Sequence, residues 1–216
     1  MSLFQKRPVF ENQLPLYTLG TNKSVLIVGL GNIGDEYEGT RHNVGFEIID
    51  NFAKTNEMDN WISKKDLKGT IATKTLGSTQ VILLKPSTFM NLSGEAVQAV
   101  ANFYKIPLEQ IIVVHDELDI GFGTIRTRTG GSSAGHNGIK SVTKHMGEGY
   151  GRVRIGVGPK SAGQRTAQID SADFVLAKFS KDEQGNMKPL LNEATSILNE
   201  YVFGGQLPSE TRNFLV

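Results

Sequence analysis

Residues 25–50, VLIVGLGNIGDEYEGTRHNVGFEIID, constrain the fold more than any other stretch of this 216-residue chain. A β-branched run, Val25–Val28, feeds straight into Gly29, Gly31 and Gly34, the pattern of a strand leaving a sheet through a tight turn. In a dinucleotide-binding fold such a turn opens at once into a helix whose N-terminus holds a pyrophosphate. Here the glycines lead into Asp35-Glu36-Tyr37, two acids that would repel a phosphate. A helix is expected only from about Thr40, which puts Arg41 and His42 in its first turn. The segment poses a choice between a cofactor binder and a hydrolase with His42 as general base.

The rest of the chain alternates strand and helix patterns. Strands are expected at Val25–Val28, Gly69–Leu76, Gln80–Leu84, Ile111–Val114, Thr124–Arg128, Arg152–Val157 and a short Asp173–Leu176. Helices are expected at Asn43–Lys54, Gly94–Tyr104 with Ser93 as N-cap, and Asn137–His145. A last helix follows the capping-box signature Ser180-Lys-Asp-Glu183, and Pro189 must either kink it or delay its start. Strands separated by helices imply helices covering both faces of a sheet. The pair around Leu76-Gly77-Ser78-Thr79 reads as an antiparallel hairpin. The expectation is an α/β fold, a single domain with a mixed, largely parallel twisted sheet flanked by helices on both faces. Residues 24–205 form that domain, 1–23 an N-terminal extension and 206–216 a C-terminal tail.

Composition narrows the chemistry. The chain has no cysteine, so thiolate catalysis, disulfides and cysteine-based metal sites are excluded. Four histidines without HExxH-type spacing argue against a metal site. No apolar run approaches the ~20 residues that span a bilayer, and Met1–Lys23 lacks a hydrophobic signal core; a cytoplasmic protein is expected. The net charge of +1 hides an asymmetry. Between Gly123 and Thr166 lie eight cations (Arg126, Arg128, Lys140, Lys144, Arg152, Arg154, Lys160, Arg165) and one acid, Glu148, leaving 15 basic and 21 acidic residues elsewhere. Such a basic segment suits a phosphate backbone, although a solvated basic face would look the same.

Four polar clusters fall where strands or turns end, the edge at which open α/β sheets present their functional groups. They are Asn32 with Tyr37 and His42; Thr88-Phe89-Met90-Asn91-Leu92-Ser93-Gly94; His115-Asp116-Glu117-Leu118-Asp119, read as following the strand Ile111–Val114; and the glycine-dense loop Gly130–Gly138. A general base needs a partner that fixes its tautomer, and Asp116 is the best-placed carboxylate for His42. Asn32, Asn91 and Asn137 could polarise a carbonyl or clamp a peptide backbone without carrying charge. Singly, each of these residues reads as turn or capping chemistry; their coincidence is what favours a site. With no G-x-S-x-G elbow, Walker lysine motif or cysteine, water is the expected nucleophile.

Six ordered motifs, GLGNIGDEYEGTRHNVGF, LLKPSTFMNLSGEAV, VVHDELDIGFGTIR, GGSSAGHNGIKSV, RVRIGVG and DFVLAKFS, resemble those of the bacterial peptidyl-tRNA hydrolase family over roughly Val25–Phe203. The resemblance implies hydrolysis of the ester between a peptide, or an N-blocked amino acid, and the 3′ ribose of tRNA. It implies catalytic roles for His42, Asp116 and Asn32, and substrate contacts from Tyr37, Phe89, Met90, Asn91 and Asn137. It puts Arg126, Arg128, His136 and Arg154 where the family has tRNA-contacting or cleft-supporting groups, and with Lys140 they are the expected contacts to the tRNA acceptor stem and 3′ end. No cofactor, no metal, no membrane and no obligate protein partner are implied, and a monomer is expected. Two positions depart from the family pattern: Ile33 stands where proline is usual, and Ala134 where glycine is usual. Two competing readings are a nicotinamide-dependent oxidoreductase, resting on Gly29, Gly31 and Gly34 alone, and a non-catalytic RNA-binding relative on the same scaffold.

Overall fold

Alternation along the central strands divides the core into two layers, because successive side chains of a strand point to opposite faces. In the computed structural model, which describes residues 23–58, 60–159 and 171–215, Val25 and Ile27 of β1 (Lys23–Gly29) join Val81, Leu83, Ile112 and Val114 beneath α1 (Val44–Thr55) and α6 (Met187–Gly204). Leu26 and Val28 join Ile82, Leu84, Ile111 and Val113 beneath α2 (Ser93–Tyr104) and α3 (Asn137–Met146). Each of these side chains is essentially inaccessible and contributes about 1.5–3 kcal/mol of burial.

The sheet has eight strands among the described residues, in the order β2-β3-β4-β1-β5-β7-β6-β8. Besides β1 these are β2 (Ile62–Lys64), β3 (Gly69–Leu76), β4 (Thr79–Pro86), β5 (Ile111–Gly121), β6 (Thr124–Thr129), β7 (Gly151–Gly158) and β8 (Thr211–Asn213). The three inner pairings, β4·β1, β1·β5 and β5·β7, are parallel. The flanking ones are antiparallel, the expected β3–β4 hairpin among them. The sheet is mixed with a parallel centre and helices on both faces. Beyond Gly205 the chain adds edge strand β8, pinned to α6 by Arg212, which reaches Glu193 at 3.1 Å and also pairs with Glu200 and Glu210.

Three local expectations need correction, and the choice at Pro189 is resolved as a late start. β5 does not stop at Val114: it runs through His115-Asp116-Glu117 to Gly121, with an irregularity between Glu117 and Gly121. Asp173–Leu176 is not a strand but the body of a helix, α4 (Ser171–Leu176); a three-residue apolar run carries no period to tell the two apart. Ser93 does not cap α2. A 3-10 turn, Met90–Leu92, runs directly into the helix, so Ser93 is already helical and its Oγ donates instead to the Met90 carbonyl at 2.8 Å. The capping box at Ser180–Glu183 is present but opens only a short helix, α5 (Lys181–Gly185). After Asn186 the chain restarts as α6, and Pro189 falls in its first turn, where proline is tolerated. Residues 1–22, Lys160 and Arg165 lie outside the described residues. Among the described residues no helix is long and apolar enough to cross a membrane.

Candidate active site

Strand order creates the gap in which the site is built. β1 stays paired with β5 only as far as Gly29↔Val114, and the Leu30 N–H donates to the Val114 carbonyl at 2.9 Å. β1 then peels away through its glycine turn, whereas β5 continues and still pairs Asp116 with Ile155 of β7. The flank of β5 left open beside Asp116 is filled by the chain on its return, a 3-10 turn at Arg41–Asn43. Close approach makes this possible: a Cβ at Gly45 would run into the Leu30 and Val114 backbone, so glycine lets α1 start against the strand exit.

The Asp116 carboxylate is buried and accepts from two histidines at the same oxygen. His42 Nδ1 and His136 Nε2 each lie 2.9 Å from Asp116 Oδ1. His136 is the N-cap of α3, and its Nδ1 accepts the backbone N–H groups of Gly138 at 3.1 Å and Ile139 at 3.3 Å. That nitrogen therefore carries the lone pair, and Nε2 carries the proton given to Asp116. His42 donates through Nδ1, which leaves its Nε2 lone pair as the base of the cluster. Burial pushes the Asp116 carboxyl up, but the charge and hydrogen bonds of His136 and His42 outweigh it and hold the carboxyl well below the usual carboxylate range. Behind them His115 is fully buried, edge-on to His136 with ring centroids 4.9 Å apart, and burial drives its imidazole well below the ordinary range.

A second set of bonds fixes the amides. The Asn32 Oδ1 accepts the Met90 N–H at 3.0 Å, so the NH2 group is the end left for a ligand. Asn43, buried next to His42, clamps Asn32 from behind: its Oδ1 accepts the Asn32 N–H at 2.8 Å and its Nδ2 donates to the Asn32 carbonyl at 2.9 Å. Ile33, next in the chain, is exposed. Asn43 escaped the sequence reading, although it stands inside the same Arg-His-Asn triplet as the base.

Asn32, His42, Asp116 and His136 line one cleft of about 480 Å³ together with Phe89, Met90, Asn91, Asn137, Glu117, Leu118 and the α4 residues Ser171, Ala172, Val175 and Leu176. Phe89 is exposed on the rim and Met90 buried in the floor. Asn137 opens α3, and its Oδ1 lies 3.4 Å from Lys140 Nζ. Tyr37 is not among the lining residues; it belongs to the 3-10 turn Asp35–Tyr37 outside the cleft.

The basic residues divide. His136, grouped with the basic residues as tRNA-contacting or cleft-supporting, lies at the Asp116 carboxylate, a cleft-supporting place. Arg126 and Arg128 of β6 stand opposite Arg154 and Arg152 of β7, so four guanidinium groups share one sheet face. Arg154 pairs with Glu117 at 3.2 Å. Arg128 donates to the Gly130 carbonyl at 2.8 Å, and buried Arg152 donates to the Ser132 carbonyl at 2.7 Å, so both tether the glycine loop that carries His136. Arg126 is exposed on β6, and Lys140 on α3.

His42, Asp116 and His136 offer ligand atoms within 4.8 Å of one another, yet the donor set does not suit a metal. With its Nδ1 lone pair committed to the α3 backbone, His136 presents an N–H rather than a lone pair to the centre. The turn after β1 likewise does not suit a dinucleotide, since it delivers an asparagine and a 3-10 turn where a pyrophosphate needs a free helix N-terminus. A buried carboxylate, a base with one open nitrogen and an amide donor are instead what water-mediated acyl transfer requires.

Comparison with known proteins points the same way. The family model described as peptidyl-tRNA hydrolase matches residues 26–214. The peptidyl-tRNA hydrolase of Clostridium botulinum (strain Eklund 17B / Type B) is 43% identical over 178 residues, covering 82% of this chain and 88% of that protein. That of Rickettsia bellii is 45% identical over 175 residues, covering 81% and 91%. The crystal structure of peptidyl-tRNA hydrolase from Acinetobacter baumannii superimposes with a TM-score of 0.77 at 36% identity, covering 85% of this chain and 90% of that one.

Proposed function

The chain belongs to the peptidyl-tRNA hydrolase family, ester hydrolases acting on peptidyl-tRNA, and from that premise we propose that His42, Asp116 and Asn32 carry the reaction. His42 Nε2 takes a proton from water, and the resulting hydroxide attacks the ester carbonyl. Asp116, already bonded to Nδ1, holds the ring in the required tautomer and stabilises the imidazolium that forms. The Asn32 NH2 donates to the oxygen on which negative charge develops. When the tetrahedral intermediate collapses, His42 returns the proton to the departing 3′ oxygen of the ribose. General-base catalysis of this kind supplies about 10²–10⁴-fold, and one oxyanion donor about 10²–10³-fold.

Asn91 and Asn137 grip the peptide backbone, Phe89 and Met90 complete that wall, and Tyr37 meets the nucleic-acid end outside the cleft. Recognition through backbone amides leaves side chains free, so many peptide sequences are accepted. The arginine face takes the acceptor stem, with Arg126, Arg128, Arg154 and Lys140 as its contacts. Like charges directly opposite each other on a sheet cost stability, and four arginines relieved by the Glu117 carboxylate make sense against phosphates. Affinity then falls with salt by a log–log slope of about −0.7 to −0.9 for each phosphate neutralised. The enzyme works as a cytoplasmic monomer without cofactor.

The observation that carries this reading is the 2.9 Å His42–Asp116 bond facing an Asn32 whose flip is fixed by the Met90 N–H. The test is release of a labelled N-blocked amino acid from its tRNA, set against the same amino acid unblocked. Strong preference for the blocked ester is expected; equal rates would remove peptidyl-tRNA as the substrate class.

A further inference from the structure

Arg41 precedes the proposed base and is almost entirely buried at 7% exposure, yet it points away from the cleft. Its guanidinium donates to three backbone carbonyls where α4 ends: Lys178 at 2.9 Å, Ala177 at 3.3 Å and Phe174 at 3.5 Å. Phe174 lies in the last turn of α4 and Ala177 and Lys178 just beyond it, where helical N–H partners run out, and a cation there also complements the helix dipole. The charge is balanced by Glu183 Oε2 at 2.7 Å, and the same oxygen accepts the Ser180 N–H that opens α5. Phe174 and Phe179 flank the guanidinium, with ring centroids 4.4 and 5.5 Å from its carbon. The backbone repeats the connection: the Arg41 N–H donates to the Ala177 carbonyl at 3.1 Å, and Thr40 bridges to Lys178.

One side chain thus ties the His42 turn to the end of α4 and the start of α5, while α4 itself supplies a wall of the cleft through Ser171, Ala172, Val175 and Leu176. We propose that Arg41 is a positioning residue that sets the α4 wall against the His42 turn and thereby fixes the width of the peptide-binding side of the cleft. This rests on His42 being the base. The fork matters because its two terminal nitrogens divide the work: Nη1 meets the three carbonyls and Nη2 the Glu183 carboxylate; a lysine brings a single nitrogen on a flexible stem and cannot hold both sets in place. A peptide that runs along α4 loses contacts when the wall shifts, whereas a single N-blocked amino acid, which ends near the ester, loses few.

The experiment measures kcat and KM for a single N-acetylated aminoacyl-tRNA and for a tRNA bearing a peptide of several residues. Wild type, Arg41→Met, Arg41→Lys, Glu183→Gln and His42→Ala are compared below the melting transition of each. For Arg41→Met the KM of the longer substrate is expected to rise about 10-fold while that of the short one and both kcat values stay within about 3-fold, the pattern of lost binding rather than lost transition-state contact. Arg41→Lys follows Arg41→Met. Glu183→Gln, which keeps a polar group in the α5 cap, shifts the longer substrate the same way by about 3-fold and carries the test if Arg41→Met does not fold. Hydrogen exchange at residues 174–178 should quicken in step. A folded variant in which both substrates change equally, or neither does, overturns the positioning role and leaves only a structural one. Residual wild-type turnover in His42→Ala overturns the base assignment and this inference with it.

Discussion

Two glycine-rich turns each deliver a histidine and an asparagine to the cleft, and the two histidines meet the same oxygen of Asp116 with opposite nitrogens. The turn after β1 brings Asn32 and, on the chain's return, His42, which approaches through Nδ1. The loop Gly130–Gly138 brings Asn137 and His136, which approaches through Nε2. The distances are equal, so the contact with Asp116 does not separate their roles. What separates them is the far nitrogen: that of His136 is consumed by the first N–H groups of α3, and that of His42 faces the cleft. An imidazole's part in catalysis is decided here by the backbone behind it.

The sharpest way to break this comparison is His42→Ala, expected to lower kcat by about 10³–10⁴ by removing the base while a filter-binding assay still finds tRNA affinity near wild type. Turnover within tenfold of wild type would make the two histidines equivalent. Asp116→Asn follows. An amide at that position can donate to His42 Nδ1, which forces the proton onto Nε2 and costs about 10²–10⁴ in kcat with KM little changed. Its stability signature has a definite sign. The folded carboxyl is held below its unfolded value, so its partners add stability above the ordinary carboxylate range and lose it as pH falls toward the folded value. The difference in Tm between wild type and Asp116→Asn should be widest near neutrality and narrow in acid.

Substitutions at His136 divide its two bonds. His136→Ala removes the cap and the bond to Asp116 together, costing about 1 kcal/mol for the cap and about 10-fold or more in rate for the lost support of the carboxylate. His136→Asn retains a good capping side chain that is too short to serve Asp116, so Tm should recover while the rate stays low. A variant that recovers both would show that the carboxylate does not need its second donor.

The convergence of His42, Asp116, Asn32, Asn91 and Asn137 on one cleft was legible because each follows a strand or turn signal that topology sends to the same sheet edge. What hid was whatever depends on partners distant in sequence. Charged residues at 115–117 look like loop, and they become strand because His42 and His136 serve Asp116, while Arg154 serves Glu117. His136 reads as one more tRNA contact in a basic segment until the α3 N-terminus is placed behind it. Asn43 and Arg41 act through bonds to Asn32 and to residues more than 130 positions away, which no local pattern carries. The short apolar run at Phe174–Leu176 gave no period, so the α4 wall was invisible as a helix.

The smallest expected effect tests the loop itself. Gly34 in the first turn has φ +121° and Gly130, Gly131 and Gly135 in the second have φ of +66°, +93° and +91°, conformations that suit glycine. Ala134, within that second loop, is also left-handed at φ +46°, where a Cβ crowds the following carbonyl at a cost of about 1–2 kcal/mol. Glycine would remove that strain, but it would also loosen the unfolded chain, which takes back about 0.4–1 kcal/mol. Ala134→Gly should therefore raise Tm by about 1–4 °C for a protein of this size. Because His136 is held from both sides, by Asp116 and by the α3 N–H groups, kcat should stay within about twofold. A fall in Tm would mean that the second loop, unlike the first, does not need glycine geometry to place its histidine.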